Sequence, residues 1–231
     1  MDIRANTIAL VALVFAAPEG LDAQFDFKLA GRPVQVHSFA SQGFAYSNHN
    51  NYLTMNTSRG SFDMTDGGMN LSSEITDKFR VGAQVYDRNI GILGKGRLTL
   101  DWALGDYRFK SWFGVRAGKV KTTLGLYNDT QDLESLHTWA ILPQSAYPLD
   151  LRASTIAHVG VDVYGTFKLG RFGDLGYTGY AGSRPYDPAG GYAYGVKEFG
   201  IDIRSLTGRQ AGGDLRWSNF VKGVMVGASF W

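Results

Sequence analysis

From Pro33 onward, apolar and polar residues alternate with a period of two. The clearest run is Val159 to Leu169. Val159, Val161, Val163, Phe167 and Leu169 fall in one set, and Gly160, Asp162, Tyr164, Thr166 and Lys168 in the other. A β-strand sends such sets to opposite faces. The same alternation appears in Phe79-Val81-Ala83-Val85, Leu98-Leu100-Trp102-Leu104, Phe113-Val115-Ala117 and Val224-Val226-Ala228-Phe230. It predicts nine antiparallel strands, at about 34–47, 62–75, 79–88, 97–109, 112–121, 155–168, 174–182, 202–217 and 223–231.

The connections sort by length. Those at 76–78, 110–111, 169–173 and 218–222 are short, and they alternate with long ones at 48–61, 89–96, 122–154 and 183–201. Short turns at one end and long loops at the other are the layout of a transmembrane β-barrel, whereas a soluble sandwich has no reason to sort its loops. The apolar sets carry aromatics near strand ends (Phe44, Tyr46, Phe79, Trp102, Phe113, Phe167, Trp217, Phe230), which suits interfacial girdles. The opposite set is polar and rich in glycine, as a wet lumen requires; Phe39 is its one large apolar member.

Composition sharpens this picture. Glycine accounts for 30 of 231 residues, well above ordinary usage, and there is no cysteine. Disulfide scaffolds, cysteine–zinc sites and thiol chemistry are therefore excluded. A net charge of +2 argues against a nucleic-acid partner, and 44% hydrophobic residues against wholesale disorder. Residues 1–23 show Arg4, then an apolar run from Thr7 to Ala17, a Pro18–Gly20 break and Leu21-Asp22-Ala23. This is the layout of a cleaved signal peptide, with a mature chain expected from Gln24. The run is too short to span a bilayer as a helix, and no later apolar stretch is long enough.

The block Gly105–Pro148, with Arg-Ala-Gly-Lys-Val-Lys and then Leu-Gly-Leu-Tyr-Asn-Asp-Thr, resembles Gram-negative outer-membrane porins of the phosphate-selective and general-porin superfamily. Val34–Ser47, Ser61–Arg88 with its Arg-Val-Gly-Ala-Gln hairpin, and Gly212–Gly227 look similar. The resemblance implies an all-β, antiparallel transmembrane barrel in the outer membrane, passing small hydrophilic solutes or ions. It also implies a homotrimer and a long third loop folded into the pore. About sixteen strands are implied, and bacterial single-chain barrels have even strand numbers. Nine strands are therefore expected to be the N-terminal part of a longer barrel, 24–231.

Two groups of residues are candidates for solute selection. The long connection 122–154 carries Asp129, Asp132 and Glu134, expected at a pore constriction. Arg80, Arg97, Asp101, Arg116, Lys119 and Lys121 are expected on the pore wall or at its mouth, with the loop acids facing wall arginines across the gap. Rings of one charge sign set channel selectivity, and the polar sets here carry nearly equal numbers of both. The loop lacks the glycine and ligand spacing of an EF-hand.

No catalytic constellation stands out, and no enzyme activity, cofactor or metal is expected. His37, His49, His137 and His158 are the only histidines; Ser135 lies near His137, but there is no Gly-x-Ser-x-Gly and no HExxH. The segment Gly91–Gly96 lacks the first glycine and the final Ser/Thr of a phosphate loop. A binding or adhesion barrel acting through the Tyr/Gly/Pro-rich loop 183–201 stays open beside the channel, as do, with less in their favour, an outer-membrane hydrolase and a soluble sandwich.

Overall fold

The fold is seen in a computed structural model that describes residues 24–94, 96–133, 136–206, 208–219, 221 and 223–231. The expected signal peptide lies outside these residues. Ten strands form one antiparallel sheet in strict sequence order: β1 Gln24–Leu29, β2 Arg32–Ala45, β3 Ser61–Thr76, β4 Phe79–Ile90, β5 Thr99–Lys110, β6 Phe113–Lys121, β7 Ala157–Lys168, β8 Asp174–Arg184, β9 Gly208–Ser218 and β10 Met225–Phe230. The sheet is open, with no pairing between β1 and β10. All expected strands are present, but the eighth starts at Gly208, and 202–206 is irregular.

The tenth strand is β1, whose Phe25, Phe27 and Leu29 also alternate. It joins β2 through a two-residue turn in which Ala30 (φ 50°) and Gly31 (φ 78°) both take left-handed conformations. A hairpin turn of this kind matches the twist of its strands. Every tight turn (30–31, 77–78, 111–112) and the connections 169–173 and 219–224 lie at one end of the sheet. The loops 46–60, 91–98, 122–156 and 185–207 lie at the other. They hold a one-turn helix α1 (Arg152–Thr155) and an eight-residue helix α2 (Gly191–Glu198). No helix among the described residues is long and apolar enough to cross a membrane.

The two faces are inverted relative to a soluble sheet. Phe27, Val161, Val163, Leu215, Val226 and Phe230 share one face and are exposed, and no element among the described residues packs on it. At the tight-turn end this face carries a ribbon of neighbouring rings, Phe79–Tyr107–Phe109–Phe113–Trp112–Phe167–Tyr177, with centroids 4.6–6.3 Å apart. The opposite face buries Gln84, Asp101, Asp106, Asp162 and Asp214. A clustered apolar core forms at the loop end, where Met55, Ile90 and Leu93 gather Leu53, Met64 and Leu149 around them, and Val36 is buried apart from it, between Phe25 and Leu71.

One face assignment needs correction. A register shift between Gln84 and Val85 marks a bulge in β5 at Asp101. It breaks the expected Leu98–Leu104 alternation, because a bulge places two residues against one. Leu100 stays on the apolar face. Trp102 and Leu104 both fall on the polar face, opposite Gln84 and Gly82, and a Cβ on Gly82 would come within 3.0 Å of the Trp102 ring. Phe39 is indeed on the polar face, stacked over Gly68 toward Tyr86 at 6.2 Å.

Candidate functional site: the polar face and its covering loop

The polar face is built from strand registers. Cross-strand pairing places Glu74 opposite Arg80, Arg80 opposite Asp106, Asp106 opposite Arg116 and Arg116 opposite Asp162. One row of alternating sign thus crosses five strands. Asp106 is its hub, 3.7 Å from Arg80 and 3.5 Å from Arg116, and it accepts a 2.5 Å hydrogen bond from the Tyr164 hydroxyl. The Arg116 guanidinium lies 4.0 Å over the Tyr164 ring. Next in the row, Asp162 sits 2.8 Å from His158 Nε2, and His158 Nδ1 meets the Thr122 hydroxyl at 3.0 Å.

Loop 122–156 folds back over this face. Its two ends are cinched by Asn128, whose Nδ2 donates to the carbonyls of Thr122 (2.7 Å) and Thr155 (3.2 Å). The Tyr147 hydroxyl receives the N–H groups of Leu126 and Tyr127. Asp132, 1% exposed, accepts from Lys121 Nζ and from Gln84 Nε2, both at 2.5 Å. Gln84 Nε2 also donates to Asp101 at 3.1 Å. From α1, Arg152 grips Asp101 through two nitrogens at 2.7 and 3.2 Å and lies 4.0 Å over the Tyr86 ring. Tyr86 in turn donates to Asp66 at 3.0 Å, and Arg88 donates to the Leu149 carbonyl.

This arrangement encloses charge. Burial alone pulls the Arg152 pKa down, but the Asp101 carboxylate, with help from Tyr86 and Asp132, more than reverses that and holds it above the ordinary arginine value. Two charge-assisted hydrogen bonds hold the buried pair, while Arg152 Nε has no partner among the described residues. A second tether runs to the sheet's far side. Arg216 binds Asp214 at 2.8 Å and donates to the Gly125 carbonyl, while Asp129 lies 3.9 Å from it. Ser229 donates to Asp214 and accepts from Gly125 N–H. The loop therefore bridges the sheet from β4 to β10. A cavity of about 30 Å³, water-sized, remains between it and the wall, lined in part by Gln131, His137 and Arg152.

The expected site residues are distributed as follows. Asp101, Arg80 and Arg116 are on the polar face; among the described residues the two arginines pair with Asp106 in the wall and not with loop acids. Asp132 faces Lys121 and Gln84, and Asp129 faces Arg216. Arg97 is exposed in loop 91–98. Lys119 and Lys121 are in register with Val159 and Ala157, off the polar set; their amines turn to the Leu100 carbonyl and to Asp132. Glu134 lies outside the described residues. Arg152, Gln84, Asn128 and Tyr147 tie the loop down and carry no distinguishing signal in the sequence. Among the described residues, no group of three His, Asp or Glu side chains is placed to hold a metal ion.

Comparison with protein-family models, curated proteins and solved structures gives no match. The functional reading therefore rests on the geometry of the two faces.

Proposed function

We propose that this chain forms the wall of an outer-membrane channel of the porin type, passing small hydrophilic solutes or ions, with loop 122–156 narrowing the pore. The observation that carries the reading is the inversion of the sheet: uncovered apolar side chains and an aromatic ribbon on one face, buried carboxylates and arginines under a polar loop on the other. Lipid suits the first face and water the second. Tight turns at one end and long loops at the other fit vectorial insertion from one side. In lipid the free edges of β1 and β10 have to be paired, because each unsatisfied backbone group costs several kcal/mol there. The reading thus includes closure of the open sheet into a barrel. It also includes export through residues 1–23 and, by the resemblance to porins, assembly as a trimer.

Two measurements test it on the purified full chain. Reconstitution into a planar bilayer should give discrete conductance steps that scale with salt concentration. Fluorescence quenching by lipids brominated at different depths should place Trp112 and Trp217 near an interface, since both lie on the apolar face beside the tight turns. Recovery of the protein in the aqueous fraction without detergent, with no quenching by either lipid, would overturn the reading.

A further inference from the structure

A second, larger cavity of about 620 Å³ opens at the long-loop end, between loop 122–156 and loop 185–207. Its size is that of a small-molecule site. The two loops are joined there, because the N–H of Gly191 at the start of α2 donates to the Asp150 carbonyl at 2.8 Å. The walls are also fixed. Tyr186 anchors its hydroxyl on the Ile203 carbonyl at 2.6 Å, and the Ala189 N–H donates to Asp187. Arg184 lies 4.5 Å over the Trp231 ring while its Nε reaches Gln210.

Three features of this cavity point to one ligand chemistry. First, it presents flat aromatic surface: Tyr192 is 50% and Trp231 58% exposed, at the loop end and away from the aromatic ribbon. Secondly, its formal charges balance, with Arg184 and Arg209 against Asp150 and Asp187, so it has no net preference for an anion or a cation. Thirdly, Ser145, Ser154 and Thr155 line the same space; the hydroxyls of Ser154 and Thr155 donate to the Leu151 carbonyl and keep lone pairs with which to accept. A neutral ring with one apolar C–H face and an edge of hydroxyl groups matches all three. Its face stacks on an aromatic ring, and its hydroxyls both donate to carboxylates and accept from guanidinium groups. We propose that this cavity binds a free, neutral oligosaccharide built of hexopyranose units. The inference takes from the channel reading only the idea that the cavity stands at the mouth of the pore.

Isothermal titration of the detergent-solubilised full chain with maltotriose and with cellotriose tests this. At least one should give saturable heat, accompanied by a change in tryptophan fluorescence that is lost in Trp231→Phe. Tyr192→Ala should weaken binding about tenfold, the scale of one lost aromatic contact, while Tyr192→Phe keeps it. If Tyr192→Ala fails to fold, Arg184→Gln, which frees the indole, should weaken binding instead. No saturable heat with either sugar, equal binding by Tyr192→Ala, or saturable binding of benzoate in place of the sugars would overturn the proposal. Conductance steps without sugar binding would sink this inference and leave the channel standing; sugar binding without conductance would do the reverse.

Discussion

Replacing Arg152 by methionine isolates the contact that fastens the loop to the wall. The substitution keeps an unbranched chain over Tyr86 but removes both hydrogen bonds to Asp101, which is 3% exposed. Removing one partner of a buried pair costs about 3–5 kcal/mol, because the remaining charge stays desolvated. Asp101 keeps one donor, Gln84 at 3.1 Å, and can take up a proton, so the lower end of that range applies. A loss of about 3 kcal/mol raises the loop's opening equilibrium by about two orders of magnitude. The opening is local, since β5 and β7 keep their ladders. Amide hydrogen exchange in detergent reads it at two positions. Thr122 N–H bonds to the Ile156 carbonyl at 2.9 Å, and Ile156 N–H to the Arg152 carbonyl at 2.8 Å. Both should exchange about a hundredfold faster in Arg152→Met, while amides of β7 do not change. Adding Asp101→Asn should recover most of the protection, because no uncompensated charge then remains. Unchanged exchange in the single variant, or strictly additive losses in the double variant, would refute this account of the loop.

Two further outcomes follow from named contacts. Asp132→Asn removes a buried carboxylate that answers Lys121, leaving that ammonium without its 2.5 Å partner; on the channel reading the reversal potential under a salt gradient should move toward anion preference, and no movement would count against Asp132 as a constriction residue. Gly165→Ala places a methyl from β7 against the Trp112 carbonyl of the β5–β6 turn, so the folded fraction on refolding into detergent should fall sharply, as judged by heat-modifiable migration on a gel.

Strand positions were legible because each strand keeps one face apolar and the other polar, which forces alternation along its length. Val159–Leu169 and Phe79–Val85 carry that constraint without interruption. Where other local rules intervened, the pattern misled. The hairpin 30–31 hides a turn behind Ala30, a residue seldom found at positive φ. The bulge at Asp101 moves Trp102 across the sheet without any break in the apolar count. Residues 202–206 alternate as a strand would, yet they lie in a loop that also contains α2. The loop's length and acids announced that it mattered. Its partners could not be read, because Asp132 meets Gln84 across 48 positions and Arg152 meets Asp101 across 51. Such pairings are set by how the loop folds back over the sheet, which no local signal encodes.

The alternating row from Glu74 to Asp162 bears on how the sheet finds its alignment. Sliding one strand by two residues preserves which side chains lie on the apolar face, so hydrophobicity cannot tell the native pairing from that neighbour. Charge can. If β5 slid by two residues in one direction, Arg80 would face Arg108; the same slip of β6 would bring Arg108 opposite Arg116. Each sets two like charges across a ladder, and slips the other way replace the ionic partner with Leu104 or Gly114. The row therefore acts as a vernier for the meander, correcting an error that an apolar face alone would accept.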